Sequence, residues 1–322
     1  MNKIKLFFLG AGEIAIPVLR SLAAAPEIDL CGVATQPDRP AGRKNRLIPS
    51  PLGAYADSCG IAAERVENVN APDFIARLRS LAPEMILVVS FGQLLKQELL
   101  DLPLYGCLNL HASLLPRYRG ASPIVQCILN LDDETGVDLM QMEAGLDSGP
   151  VYHTWHYPLK HNEYADALEL ALGELASVDL AGVLGQVAAG KLVPVEQDPD
   201  QVTVCRKIKK SDGVIDWNLP ARKIDAMVRA YTPWPGAVCR VLTSRGEQQL
   251  TLQKITVLPD APASCPGTFL DFGRKRLVVS CLDGAIEIET LQPSGGKPMT
   301  GAAYLNGNRG ELPQMILDQK GL

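Results

Sequence analysis

Between Ile4 and His111, strand-length apolar runs alternate with stretches of helical period, and that rhythm excludes most folds. Ile4–Leu9 is apolar almost throughout, Gly10 and Gly12 punctuate the turn after it, and Glu13–Ala24 carries Ile14, Val18 and Leu22 at helical spacing. Leu30–Thr35, Met85–Ser90 and Cys107–His111 repeat the apolar run, while Pro51–Cys59, Pro72–Leu81 and Gln93–Leu100 repeat the helical pattern. A strand that is apolar at successive positions has no face to give to water, so it lies in a sheet covered on both sides. Strands separated by helices make that sheet parallel, since each return needs a crossover. The expected fold class is α/β, with a doubly wound, mostly parallel sheet.

The second half of the chain has a different texture. A helix is expected after Pro123, then Thr135–Met142 and Val151–Tyr157 as antiparallel strands, then one long helix over Tyr164–Ala188. Lys191–Asp212, with Pro194, Pro199 and the basic cluster Arg206, Lys207, Lys209 and Lys210, reads as a linker. Beyond a helix at Leu219–Tyr231 there are five short strand-like runs: Val238–Thr243, Leu250–Val257, Gly267–Asp271, Leu277–Cys281 and Ala285–Leu291. Their spacing, about ten residues, suits a small OB-like β-barrel. The expected domains are therefore a sheet domain over 1–190, a linker over 191–212 and a barrel over 213–322.

Composition narrows the function classes. A hydrophobic fraction of 47% with 21% charged residues is that of a globular protein and excludes disorder. The eight cysteines include no CxxC pair, so neither a disulfide framework nor a zinc site is indicated, no metal is expected, and a reducing, cytoplasmic compartment fits best. Lys3 and Lys5 ahead of an apolar run imitate a signal peptide, but Glu13 and Pro17 interrupt it. No window approaches the roughly 18 uninterrupted apolar residues that a membrane span needs. Residues 1–205 carry a net charge of −10 and residues 206–322 a net +5. A basic C-terminal third on an acidic chain hints at a polyanionic partner such as nucleic acid.

Three segments carry candidate chemistry. Gly10–Ala15 matches the GxGxxA dinucleotide fingerprint after a strand, yet the second strand ends in Ala34-Thr35-Gln36 without the acid that grips a ribose. A nicotinamide enzyme built on this turn is one reading; a structural turn is the other. Gln36–Pro51 is a long proline-containing loop with Arg39, Arg43, Lys44 and Arg46 against Asp38, suited to a phosphate backbone. The third segment says most. Asn109 and His111 stand two apart on a strand and so share a face at its carboxyl end, where open α/β sheets place ligands. A Pro116-Arg117-Tyr118-Arg119-Gly120 loop comes next, and the Gly-flanked turn Gly145–Gly149 adds Asp147 downstream. A carboxamide, an imidazole and a carboxylate together make an oxyanion and proton-transfer site. No serine or thiol stands beside the imidazole in a GxSxG-type motif, which favours direct attack by a substrate nucleophile. His153 and His156 lie an odd number apart on a strand and face opposite ways, so they share no metal.

Asn109–Pro123 (NLHASLLPRYRGASP) with Gly145–Gly149 (GLDSG) resembles the folate-dependent formyltransferases, whose catalytic domain is Rossmann-like. QPDRPAGRKNRLIPSP (Gln36–Pro51), VVSFGQLLK (Val88–Lys96) and YTPWPGA (Tyr231–Ala237) look like the members that act on aminoacylated initiator tRNA, and the likeness spans nearly the whole chain. Ala112, where the family commonly has Gly, and the Gly10-Ala11-Gly12 turn are mild departures. The resemblance implies transfer of the formyl group of 10-formyltetrahydrofolate to the α-amino group of methionine on initiator tRNA, by a monomer, without metal or membrane. It implies a catalytic set of Asn109, His111 and Asp147. It implies a folate slot lined by Phe91, Gly92, Leu94 and Leu95, with Ser113, Leu114, Leu115 and Pro116 on its other wall. Arg39, Arg43, Lys44 and Arg46 would meet the acceptor stem of the tRNA, and Arg206, Lys207, Lys209 and Lys210 its phosphates. Rival readings are formyl transfer to another amine or a formyl-folate hydrolase on the same catalytic domain, a nicotinamide oxidoreductase, and a non-catalytic RNA-binding protein.

Overall fold

A computed structural model describes residues 3–41, 45–262, 264–273 and 275–317, so Arg43 and Lys44 lie outside the described residues. In chain order the first elements are β1 (Ile4–Gly10), α1 (Ala15–Ala24), β2 (Ile28–Thr35), β3 (Arg39–Ala41), β4 (Arg46–Ile48), α2 (Pro51–Cys59), β5 (Ala63–Arg65), α3 (Pro72–Leu81), β6 (Met85–Val89), α4 (Gln97–Leu100) and β7 (Cys107–His111). Then come β8 (Arg119–Gly120), α5 (Pro123–Asn130), β9 (Glu134–Gln141), β10 (Val151–Pro158), α6 (Ala165–Ser177), α7 (Leu180–Ala188), β11 (Val204–Cys205) and α8 (Ala221–Tyr231). The chain closes with β12 (Ala237–Thr243), β13 (Gly246–Leu258), β14 (Phe269–Asp271), β15 (Leu277–Ser280), β16 (Ala285–Pro293), β17 (Met299–Thr300), α9 (Gly301–Gly307) and β18 (Gln314–Ile316).

Contacts divide the chain into two units, the first made of Met1–Pro123, Glu134–Pro158 and Ala167–Arg206. Its sheet runs β10-β9-β7-β6-β1-β2-β5. The five strands from β7 to β5 are mutually parallel, whereas β9 is antiparallel to both β7 and β10. The order reverses between β1 and β6, as doubly wound sheets do. Every residue of β6 and of β7 is buried, which explains the continuous apolar runs. Phe7, Leu9, Phe74, Leu78, Ile86 and Phe91 form the core on one side of the sheet.

The second unit comprises Ile124–Asp133, Leu159–Asp166 and Lys207–Leu322. Its strands take the order β14-β15-β16-β13-β12-β18, all antiparallel, with β17 on β16. Gly267, just before β14, lies under Met315 and Leu317 at the other end of that order, so the sheet curls into a nearly closed barrel. Trp217 and the α8 residues Ile224 and Val228 complete its core with Leu250, Leu252 and Ile286.

The sequence pattern overran the structure in several places. The helix expected over Gln93–Leu100 is a single turn, Gln97–Leu100. Gln93 is spent instead on the backbone, accepting from Val69 N at 3.0 Å and donating to Val66 O at 2.9 Å. The helix over Tyr164–Ala188 breaks into α6 and α7 at Asp179, whose carboxylate accepts the Trp155 indole N–H at 2.8 Å. Inside the basic loop, β3 and β4 pair as a small ribbon. Strands β5 and β18 and helix α9 were not anticipated.

Candidate active site

Strand β7 lies between parallel β6 and antiparallel β9, so its last residues emerge at the carboxyl edge of the parallel strands. Asn109 and His111 share one face there and are 9% and 6% exposed. Among the described residues none receives a hydrogen bond from the Asn109 carboxamide. His111 Nε2 donates to the Tyr118 carbonyl at 2.9 Å. A carbonyl only accepts, so this bond places a proton on Nε2 and turns Nδ1 toward the cleft. There Nδ1 stands 3.8 Å from Asp147 Oδ2. That gap is too long for a hydrogen bond and leaves room for a third group to engage both.

The chain after β7 folds into a tight loop that holds this geometry. Ser113 Oγ donates to Arg117 O at 2.7 Å, and Tyr118 N donates to Thr203 Oγ1 at 2.8 Å. Strand β8 pairs with β11, far along the chain, and Gly120 adopts φ +113°. A Cβ at Gly120 would lie 2.3 Å from the Cys205 carbonyl oxygen, so only glycine fits. Its amide donates to Asp147 Oδ2 at 2.8 Å and so aims the carboxylate. Asp147 itself sits at φ +45° in a bend without regular structure.

One functional candidate escaped the sequence reading. Asp138 on β9 is the cross-strand partner of His111, on the same face, and is 1% exposed. Burial pushes its pKa from 3.8 up to about 6, against the opposing pull of the Thr154 hydroxyl, the Leu115 amide and His111. Oδ2 accepts from Leu115 N at 2.6 Å, whereas Oδ1 has no partner of hydrogen-bond geometry among the described residues, Thr154 notwithstanding. Asp138, Leu115, Pro116, Thr154 and Gln197 line a cleft of about 400 Å³. The available signal was a charged residue inside the apolar alternation of Thr135–Met142.

The residues expected to line a folate slot differ in exposure. Phe91 and Leu95 are committed to the core, Leu94 is 82% exposed, and Gly92 forms an exposed turn at φ +78°. Gln36 Nε2 donates to the Phe91 carbonyl at 2.6 Å. Ser113 is fully buried, Leu114 packs on Gly136, and Leu115 and Pro116 line the cleft. Of the basic residues, Arg39 is exposed and pairs with Glu67 at 3.3 Å, and Arg46 is exposed on β4. Arg206 ends the stretch belonging to the first unit, and Lys207, Lys209 and Lys210 open the second; all four are exposed.

The fingerprint-like turn holds a carboxylate of its own. Glu169 Oε1, from α6, accepts from Ile14 N at 3.3 Å at the start of α1. In dinucleotide enzymes a pyrophosphate uses that helix end.

A family model described as formyl transferase matches residues 3–183, and a second, for the formyl transferase C-terminal domain, matches residues 207–309. The chain belongs to the formyl transferase family. Asn109, His111 and Asp147 all fall within the first match. Membership makes this formyl transferase chain an enzyme of one-carbon transfer. It is 38% identical over 96% of its length to a protein of Geobacter metallireducens named methionyl-tRNA formyltransferase, covering 97% of that protein. Among solved structures it superposes on HypX from Aquifex aeolicus in complex with tetrahydrofolic acid, with TM-score 0.66, 15% identity, and coverage of 97% of this chain and 48% of that one. A methionyl-tRNA formyltransferase from Clostridium thermocellum gives TM-score 0.56 at 13% identity, over 87% of this chain and all of that one. These two likenesses establish a shared fold. Among the described residues of this formyl transferase, no helix is long and apolar enough to cross a membrane.

Proposed function

We propose that the chain transfers the formyl group of 10-formyltetrahydrofolate to the α-amino group of methionyl initiator tRNA. The carrying observation is the convergence of Asn109, His111 and Asp147 at one strand end, with Nδ1 and the carboxylate 3.8 Å apart. The names of full-length relatives supply the acceptor. Glu169 in the α1 turn disfavours the nicotinamide reading, because a pyrophosphate would have to displace a like charge.

The neutral amine attacks the formyl carbon, and the carbonyl electron pair moves onto oxygen. The unpartnered Asn109 carboxamide donates to that oxyanion, and His111, whose Nε2–H is held by Tyr118 O, donates to it from Nδ1 only as the imidazolium, beside Asp147. The tie of Nε2 to Tyr118 O means that Nδ1, not Nε2, serves the reacting centre. Asp147 takes the amine proton, directly or through a water, and returns it to N10 of the folate as the oxyanion pair re-forms the carbonyl and the carbon–nitrogen bond breaks. Losing one oxyanion donor costs roughly 10²–10³ in rate. The folate lies along the backbone edge of Phe91–Gly92 and the Ser113–Pro116 turn. Arg39, Arg43, Lys44 and Arg46, with Arg206, Lys207, Lys209 and Lys210, hold tRNA phosphates and weaken with salt. The protein works as a cytoplasmic monomer.

The test is folate-dependent appearance of formyl-methionine on charged initiator tRNA, with uncharged tRNA as control. Formylation of a different amine, with charged tRNA left unmodified, refutes the acceptor while leaving the family intact.

A further inference from the structure

Asp147 occupies a conformation that its own chain does not favour. It is a non-glycine residue at φ +45°, in a bend whose residues 143–146 are exposed and carry no regular hydrogen bonding. Such a residue keeps its place only where its surroundings over-determine it. Gly120 N fixes the carboxylate, but something must also fix the backbone that presents it.

That something lies 50 residues downstream. Gln197 Nε2 donates to Asp147 O at 2.9 Å and to Gly149 O at 2.7 Å. Its Oε1 accepts from Arg119 Nε at 2.9 Å. The orientation of the amide is unambiguous, because two carbonyls demand the nitrogen and a guanidinium demands the oxygen. Both N–H donors of the amide are therefore used on the bend that carries Asp147. The acceptor is used on the residue next to Gly120, which is itself the donor to the Asp147 carboxylate. One side chain thus clamps the bend against the loop that holds His111. Gln197 is in turn anchored through Val195, whose N and O exchange 2.8 Å bonds with Val151 on β10. It lies in the stretch between the two family matches, 3–183 and 207–309.

We infer that Gln197 is a positioning residue for formyl transfer, holding Asp147 at its station beside His111. The inference rests on Asp147 being catalytic. Gln197 lines the cleft but spends its amide on Asp147, Gly149 and Arg119, so its loss falls on the turnover step far more than on substrate binding. A misplacement of about 1 Å is enough to cost about 10²-fold.

The experiment compares Gln197→Ala, Gln197→Glu, Asp147→Asn and the Gln197→Ala/Asp147→Asn double variant by single-turnover formylation of charged initiator tRNA. Steady-state KM for both substrates and the unfolding midpoint are measured alongside. Gln197→Glu keeps the size and the acceptor for Arg119 but turns an oxygen on two carbonyls. Both Gln197 variants are expected to lose about 10²-fold in kcat, with KM changed by about twofold at most. The double variant is expected to be no slower than Asp147→Asn alone, since a clamp has nothing left to position. Losses that multiply in the double variant, or a rise in KM at normal kcat, overturn the inference. Near-normal turnover in both Gln197 variants, with Asp147→Asn crippled, also overturns it. A fully active Asp147→Asn refutes instead the catalytic role of Asp147. Should Gln197→Ala not fold, Gln197→Glu carries the same decision.

Discussion

Replacing Asp138 with Asn isolates the cost of keeping a carboxylate opposite His111. Burial raises the folded pKa of Asp138 from 3.8 to about 6, while the unfolded chain titrates near the ordinary value. Between about pH 4 and pH 6 the folded state therefore holds more proton than the unfolded one. Stability falls as pH rises through that window, and the cost is complete above it. At about 1.4 kcal/mol for each pH unit, the penalty near pH 8 is about 3 kcal/mol. Asn removes that charge and can still accept from Leu115 N, the bond that Oδ2 makes at 2.6 Å. Its amide N–H group must find an acceptor where Oδ1 has no partner, and the Thr154 hydroxyl across the strand pair is the nearest candidate. An unpaired donor there costs about 1–3 kcal/mol, but equally at every pH. The decisive quantity is therefore the change with pH of the stability difference between the two proteins. Urea unfolding at several pH values from about 4 to 8 should show Asp138→Asn gaining about 3 kcal/mol on the parent as pH rises. A pH-independent difference, or a parent that gains on the variant, refutes the reasoning.

Three further outcomes are expected. Asn109→Ala should lower kcat by roughly 10²–10³ with tRNA affinity unchanged, as single-turnover kinetics and filter binding would show. Gly120→Ala should destabilise the first unit by at least about 1–3 kcal/mol, read by thermal unfolding, because φ +113° and the Cys205 carbonyl both forbid a Cβ. Lys209→Ala with Lys210→Ala should weaken binding of charged tRNA and make its salt dependence shallower by about two counter-ions, with kcat at saturating tRNA intact.

Much of this was legible in the sequence because the relevant signals are local. Buried parallel strands have to be apolar at successive positions, and β6 and β7 are. Asn109 and His111 share a face because the strand period is two, and Gly145–Gly149 marks a bend around Asp147 without any knowledge of contacts. What escaped depends on pairing at a distance. Gln197 has no motif; its meaning comes from two carbonyls some 50 residues upstream. Asp138 reads as one polar residue in a strand until β9 sets it opposite His111. Phe91 and Leu95 pack into the core, a role that their apolar character alone announces. The helix expected from Gln93 failed because that side chain satisfies the backbone of Val66 and Val69.

The carboxylate of Glu169 at the first turn of α1 gives the sheet a built-in counter-charge. A helix start attracts anions, and here the chain supplies its own, tethered at no cost in association entropy. The helix start that a pyrophosphate would use is thus occupied by the chain itself, two strands away from the carboxyl end of β7.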